Sequence, residues 1–204
     1  MIINLRGTSG SGKTYAVKEF LYKNAPYYHI MGAGSKKPVA HLVFMDMMPV
    51  YAIGSYENVC GGCDTVPTQD MICGLVRHFS QFGHVLFEGL LMSHLWARYK
   101  ALCEELTGCG EKYVWLFLDT PIEICLDRVD LRRALRGVDK PLNPHNTISK
   151  HQSTWKVADK AKQAGFDVRW LKYDAKPEFV LADILRQDDG VGTWETNFRK
   201  ESFR

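Results

Sequence analysis

Met1-Ile2-Ile3-Asn4-Leu5-Arg6-Gly7-Thr8-Ser9-Gly10-Ser11-Gly12-Lys13-Thr14 opens the chain. Residues 7–14 satisfy the phosphate-binding pattern G-x-x-x-x-G-K-[ST] at every specified position. The apolar run before the pattern reads as a buried strand. The stretch after it, with Val17, Phe20 and Leu21 on one face, reads as a helix. Strand, loop and helix together are the context such a loop requires. The glycines let the backbone wrap close to phosphates, and the N–H groups at the helix start supply positive potential. Gly7, Thr8, Ser9, Gly10, Ser11, Gly12, Lys13 and Thr14 are therefore the expected nucleotide contacts. Lys13 would reach the β- and γ-phosphates of ATP, and the Thr14 hydroxyl would sit on Mg²⁺. Glycine- and serine-rich loops also occur as plain turns. The Lys-Thr pair between a strand and a helix separates this one from them.

Outward from that loop, the 204 residues suit a single domain spanning 1–204. A hydrophobic fraction of 46% suffices for a packed core, and no apolar run approaches the roughly 20 residues of a membrane span. The opening strand leaves no room for a signal peptide, so a cytoplasmic setting without a membrane is expected. A net charge of +3 neither requires nor excludes a nucleic-acid partner. Nothing in the chain specifies an oligomeric state. Six scattered cysteines, several inside apparent helices, read as reduced thiols. Cys60-Gly61-Gly62-Cys63 has C-x-x-C spacing but no second pair to complete a zinc site, so a loop set by two glycines is the preferred reading.

Strands and helices alternate along the chain. Strands are expected at 2–6, 84–88, 112–119 and 167–173, and helices at 13–24, 68–81, 92–107, 121–136, 148–164 and 177–187. Residues 27–54 read as irregular but strand-rich. This alternation implies a three-layer α/β fold with a mostly parallel sheet and ligands at the carboxyl ends of its strands. Residues 27–67 form an insertion on the substrate side, and 121–147 form a lid.

Several side chains at those strand ends carry chemistry. Glu88-Gly89 closes a buried strand, where a carboxylate serves Mg²⁺ or acts as base for an acceptor hydroxyl; it also fits a plain helix cap. Arg128, Arg132 and Arg136 recur at i, i+4, i+8 with Arg133 beside them. Guanidiniums in this pattern suit a lid that closes on phosphoryl oxygens, or else a solvated basic face. Arg128 and Arg132 are assigned to catalysis and Arg133 and Arg136 to the nucleotide, although spacing does not say which one reaches the transferring phosphate. Asp64, in a loop dense with turn residues, is a candidate acceptor of the hydroxyl proton or a helix start, and Tyr56 a candidate base-stacking ring. Residues 174–177 border either the adenine or nothing but a turn. The 194–204 tail interleaves aromatic and basic residues and reads as a docked or frayed terminus before a nucleic-acid grip.

The phosphate loop, Glu88-Gly89 and the arginine-rich lid together resemble the P-loop nucleoside and nucleotide kinase superfamily. Gly54-Ser55-Tyr56-Glu57 and Gly61-Gly62-Cys63-Asp64-Thr65 resemble segments of bacteriophage kinases that phosphorylate 5-hydroxymethyluracil in DNA. The chain carries Glu88-Gly89-Leu90 where cellular deoxynucleoside kinases have Asp-Arg-[Ser/Tyr/His], which weighs against a salvage enzyme. The resemblance implies an ATP- and Mg²⁺-dependent kinase acting on DNA that contains a modified pyrimidine, in the cytoplasm of an infected cell. A kinase for a free nucleoside or nucleotide is the alternative, and a partner-coupled ATPase a second one. On the DNA reading, His29, Lys36, Lys37, His41, Tyr51 and Tyr56 of the insertion are the expected contacts with phosphates and bases.

Overall fold

The computed structural model describes residues 1–58, 61–138 and 140–187. Seven strands form one sheet in the order β2-β3-β4-β5-β1-β6-β7: β1 (Ile2–Arg6), β2 (Tyr27–Met31), β3 (Pro38–Met45), β4 (Met48–Ile53), β5 (His84–Glu88), β6 (Tyr113–Asp119) and β7 (Asp167–Lys172). From β4 through β7 the neighbours run parallel, whereas β2, β3 and β4 pair antiparallel. The mostly parallel three-layer fold expected from the β/α alternation is the fold observed. What the pattern did not resolve is β2, a partly exposed edge strand with no clean alternation. The β3–β4 connection is a two-residue turn at Asp46 and Met47, both at positive φ, the geometry that matches the twist of a tight hairpin.

Helices α1 (Lys13–Lys23), α2 (Gln69–Ser80), α3 (Leu90–Ser93), α4 (Ala97–Gly108), α5 (Ile122–Ala134), α6 (His145–Gln163) and α7 (Pro177–Arg186) cover the two faces. Ala16, Val17, Phe20 and Leu21 of α1 pack with Leu181 and Leu185 of α7 on one face. Val76, Tyr99, Leu102, Trp115 and Val157 belong to the cluster on the other face. A parallel strand covered on both sides has no solvent face, and every residue of β1 is buried, Asn4 and Arg6 included. The helix expected at 92–107 is two helices, broken at His94–Trp96, and α6 begins at His145 rather than at 148.

Register aligns the chemistry. Leu5 of β1 lies beside Glu88 of β5, and Arg6 beside Phe117 of β6. The phosphate loop, Glu88 and Asp119 therefore emerge at one edge of the sheet, where the parallel strands end.

Candidate active site

The 7–14 loop is braced from three sides. Gly10 holds φ 78°, and a Cβ there would lie 2.3 Å from the Cys125 carbonyl oxygen, so α5 packs directly on loop backbone. The Ser11 hydroxyl donates to the Thr8 carbonyl (2.9 Å), and the Thr120 hydroxyl donates to the Ser11 carbonyl (2.9 Å). The Thr8 hydroxyl donates to the carbonyl of Thr147 in the first turn of α6 (3.1 Å). Lys13 is buried, and its ammonium donates to the Gly7 and Thr8 carbonyls at 2.8 and 3.0 Å. Burial lowers its pKa while Glu88 and Asp64 oppose the shift.

Glu88 is buried against the start of α1. Its Oε1 accepts from the Thr14 hydroxyl at 2.9 Å. Burial pushes its carboxyl up to about 7, opposed by the Lys13 charge and the Thr14 hydrogen bond. The room for this carboxylate comes from Gly62, at φ 67°, where a Cβ would sit 2.3 Å from Glu88 Oε1. Gly62 is held in place locally. Its N–H donates to the Ser55 carbonyl, the Thr65 hydroxyl donates to its carbonyl, and Ser55 N–H donates to the Thr65 hydroxyl. The two glycine-bearing segments at 54–57 and 61–65 are thus one structure, folded over the Thr14–Glu88 pair.

Asp64 is exposed and occupied differently. Its carboxylate accepts from the backbone N–H of Leu90 (2.8 Å to Oδ2) and of Leu91 (3.4 Å to Oδ1), capping α3 immediately after Glu88. The helix it caps is not its own next helix but one across the site. Its negative charge also contributes to the raised pKa of Glu88. Two carboxylates therefore converge beside Lys13 and Thr14, one buried and one at the rim.

The four arginines separate. Arg128 Nη1 donates to the Gly10 carbonyl (3.3 Å), which brings it to the phosphate loop. Arg132 lies near enough to Lys13 for its charge to lower the lysine pKa. Arg133 Nη2 donates to the Lys140 carbonyl (2.6 Å), tying the end of α5 to the loop that follows. Arg136 lies beyond the end of α5 and is exposed. Asp139, a possible partner for these cations, is outside the described residues, as are Cys60 and the 194–204 tail.

A cleft of about 270 Å³ opens beside the loop, lined by Gly12, Tyr15, Arg128, Leu171, Tyr173 and Pro177 among others. It adjoins the 174–177 turn that the order of elements singled out. Neither Tyr15 nor Tyr173 was legible as part of it, because the two come together only through packing of α1 against the β7–α7 turn.

The insertion is partly turned inward. Tyr56 is buried and its hydroxyl donates to the Ile53 carbonyl, so it does not offer a ring to a base. His41 is buried between Tyr27, His29 and Tyr56, and its Nε2 accepts from Tyr56 N–H. Tyr51 stacks on Phe79 of α2. His29, Lys36 and Lys37 stay exposed, joined by Tyr28. Cys63 faces the core near the Ile53 carbonyl, and among the described residues no three His, Cys, Asp or Glu side chains form a group that could hold a metal ion. The hydroxyl and carboxylate oxygens of Thr14 and Glu88 suit Mg²⁺, which takes few protein ligands and completes its shell with phosphate and water.

No family model matches the chain. It is 38% identical over 172 residues to the 5-hmdU DNA kinase of Pseudomonas phage PaMx11, covering 82% of this chain and 88% of that protein. It is 30% identical over 185 residues to the 5-hmdU DNA kinase of Delftia phage PhiW-14, covering 84% and 67%. To the protein of the same name in Pseudomonas phage M6 it is 28% identical over 200 residues, covering 93% and 98%. No helix among the described residues is long and apolar enough to cross a membrane.

Proposed function

This chain belongs to the family of phage 5-hmdU DNA kinases, and from that membership we propose that it transfers the γ-phosphate of ATP to the 5-hydroxymethyl group of 5-hydroxymethyluracil in DNA. The observation that carries the site assignment is the 2.9 Å contact between Thr14 Oγ1 and Glu88 Oε1, which joins a phosphate loop to a buried carboxylate at one sheet edge.

In this reading the loop N–H groups and Lys13 hold the β- and γ-phosphates. Lys13 leaves the Gly7 and Thr8 carbonyls to do so. The cleft between Tyr15, Arg128 and Tyr173 receives the adenine. The acceptor oxygen attacks the γ-phosphorus, the bond from that phosphorus to the bridging oxygen of ADP breaks, and the hydroxyl proton passes to a carboxylate. Glu88 is the better base. Its burial raises its proton affinity, whereas Asp64 is engaged in capping α3. Thr14 would hold Mg²⁺, which would neutralise phosphate charge, with Glu88 orienting the Thr14 hydroxyl. Arg128 and Arg132 approach the transferring group, and Arg133 and Arg136 belong to the lid. Little covalent chemistry falls to the protein, so alignment and charge neutralisation supply most of the rate. A target base within a duplex is flipped out to reach Glu88. His29, Lys36 and Lys37 meet the DNA backbone.

The test is transfer of labelled γ-phosphate from ATP to DNA containing 5-hydroxymethyluracil, to unmodified DNA, and to the free nucleoside and monophosphate at equal concentration. Label in the modified DNA is expected. Faster labelling of the free forms overturns the DNA acceptor, and acceptor-independent hydrolysis alone overturns the kinase reading.

A further inference from the structure

Arg6, the last residue of β1, is fully buried yet pairs with no carboxylate among the described residues. Its guanidinium lies 4.2 Å from the centroid of the Trp115 ring and 5.1 Å from that of Tyr99. Its Nε donates to Asn4 Oδ1, and Nη1 donates to the carbonyls of Ser93 and Leu95, each at 3.2 Å. A buried cation without a counter-charge is costly, and ring faces and carbonyls offset that cost only in a fixed geometry. The carbonyls it grips flank His94, in the break between α3 and α4.

Ser93 is also fully buried, and its hydroxyl has two partners. It accepts from the Gly7 N–H (3.2 Å) and donates to the Gly89 carbonyl (2.6 Å). Gly7 is the first residue of the phosphate loop, and its carbonyl holds Lys13. Gly89 follows Glu88 and precedes the Leu90 N–H that Asp64 caps. One hydroxyl thus spans the donor half of the site and the acceptor half, and Arg6 fixes the backbone that carries it.

We propose that Ser93 and Arg6 are positioning residues that form a latch, setting the separation between the phosphate loop and the Glu88–Asp64 pair. The register of β1 against β5 aligns the strands only as far as Leu5 and Glu88. Beyond those residues Ser93 bridges the two segments at Gly7, where the loop begins, as the Thr14–Glu88 bond does where it ends. Ser93→Ala removes the bridge and no charge. Loss of the bridge misaligns acceptor and donor and frees the Gly7 N–H, while the hydrogen bonds that brace the loop at Thr8, Ser11 and Lys13 are untouched. The latch rests on the kinase reading for its effect on rate but not for its effect on structure.

The experiment compares wild type, Ser93→Ala, Arg6→Met and the double variant in two measurements. In steady-state transfer from ATP to DNA containing 5-hydroxymethyluracil, Ser93→Ala is expected to lower kcat by about 10- to 100-fold, the effect of a small misplacement of reacting groups, with KM for ATP within about 2-fold of wild type. The double variant is expected to lose little more than the worse single, because both cut one latch. In hydrogen exchange without substrate, Ser93→Ala is expected to speed exchange of the Gly7 N–H while the amides of β6 stay protected. Wild-type kcat in Ser93→Ala overturns the proposal, as does Gly7 exchange equal to wild type. Should wild type itself fail to phosphorylate that DNA, the functional reading falls and the exchange measurement still decides the latch. Should Arg6→Met fail to fold, Ser93→Ala alone decides it.

Discussion

The hydroxyl of Thr14 and the carboxylate of Glu88, 74 positions apart in the chain, are joined by a 2.9 Å hydrogen bond at the floor of the site. The pair unites the end of the phosphate loop with the end of the neighbouring parallel strand. The two candidate carboxylates have different partners, since Asp64 faces the N-terminus of α3 instead. Glu88→Gln is therefore expected to lower kcat by about 10²- to 10⁴-fold, as for loss of a general base. Asp64→Ala is expected to act first on stability, by about 1 kcal/mol for a lost cap, with a smaller loss of kcat. Side-by-side steady-state kinetics and thermal melts check this. Equal losses of kcat from the two variants would return Asp64 to the role of base.

Lys13→Ala is expected to reduce transfer by about 10²- to 10³-fold, comparable to removing one transition-state donor. The fold is expected to survive, because the ammonium is held by two loop carbonyls and not by the core. Circular dichroism and a kinetic assay on one preparation suffice. A folded variant with near-normal turnover would refute the assignment of the loop.

The α5 end and the following loop are expected to close on nucleotide. Arg128 already reaches Gly10, while Arg133 is tied to Lys140. Hydrogen exchange across residues 128–147 is expected to slow when an ATP analogue is added. Unchanged exchange would mean that this stretch is a solvated helix end.

Stability is expected to fall in mild acid because of His41. Burial, with the His29 ring beside it, lowers its pKa from 6.5 to about 4, and Glu57 opposes the shift only weakly. The unfolded chain then binds a proton between those values that the folded chain does not, so stability is complete above about 6.5 and declines as the pH drops toward 4. Protonation would also turn Nε2 into a donor facing the Tyr56 N–H. The full loss attributable to this group is about 3 kcal/mol. Melting temperatures from pH 7 to pH 4 are expected to drop more steeply in wild type than in His41→Gln. Parallel curves would remove His41 from the account.

Local signals were legible in the chain, and long-range ones were not. The 7–14 loop is contiguous, and its backbone requirements are written as glycines, so its place between β1 and α1 could be read directly. Glu88 was marked by its position at the end of an apolar strand. The break at His94–Trp96 carries no proline or glycine to announce it, and what holds it is Arg6, distant in sequence. Tyr56 looked like a surface aromatic among polar neighbours. It is buried because the 61–65 segment folds back over it, bridged from Ser55 to Gly62. Gly61 and Gly62 were read as turn formers. Gly62 is needed instead as empty space for the carboxylate of Glu88.

The hydrogen bond from Thr8 to the Thr147 carbonyl has a consequence for regulation. It connects the 7–14 loop to the first turn of α6, where the proposed lid ends, so on that proposal nucleotide in the loop is linked to the position of the lid. Such coupling is reciprocal: by whatever factor nucleotide favours one position of the proposed lid, a ligand that holds the lid in that position alters affinity for nucleotide. In a titration the two affinities would therefore change by one common factor, whichever ligand is added first.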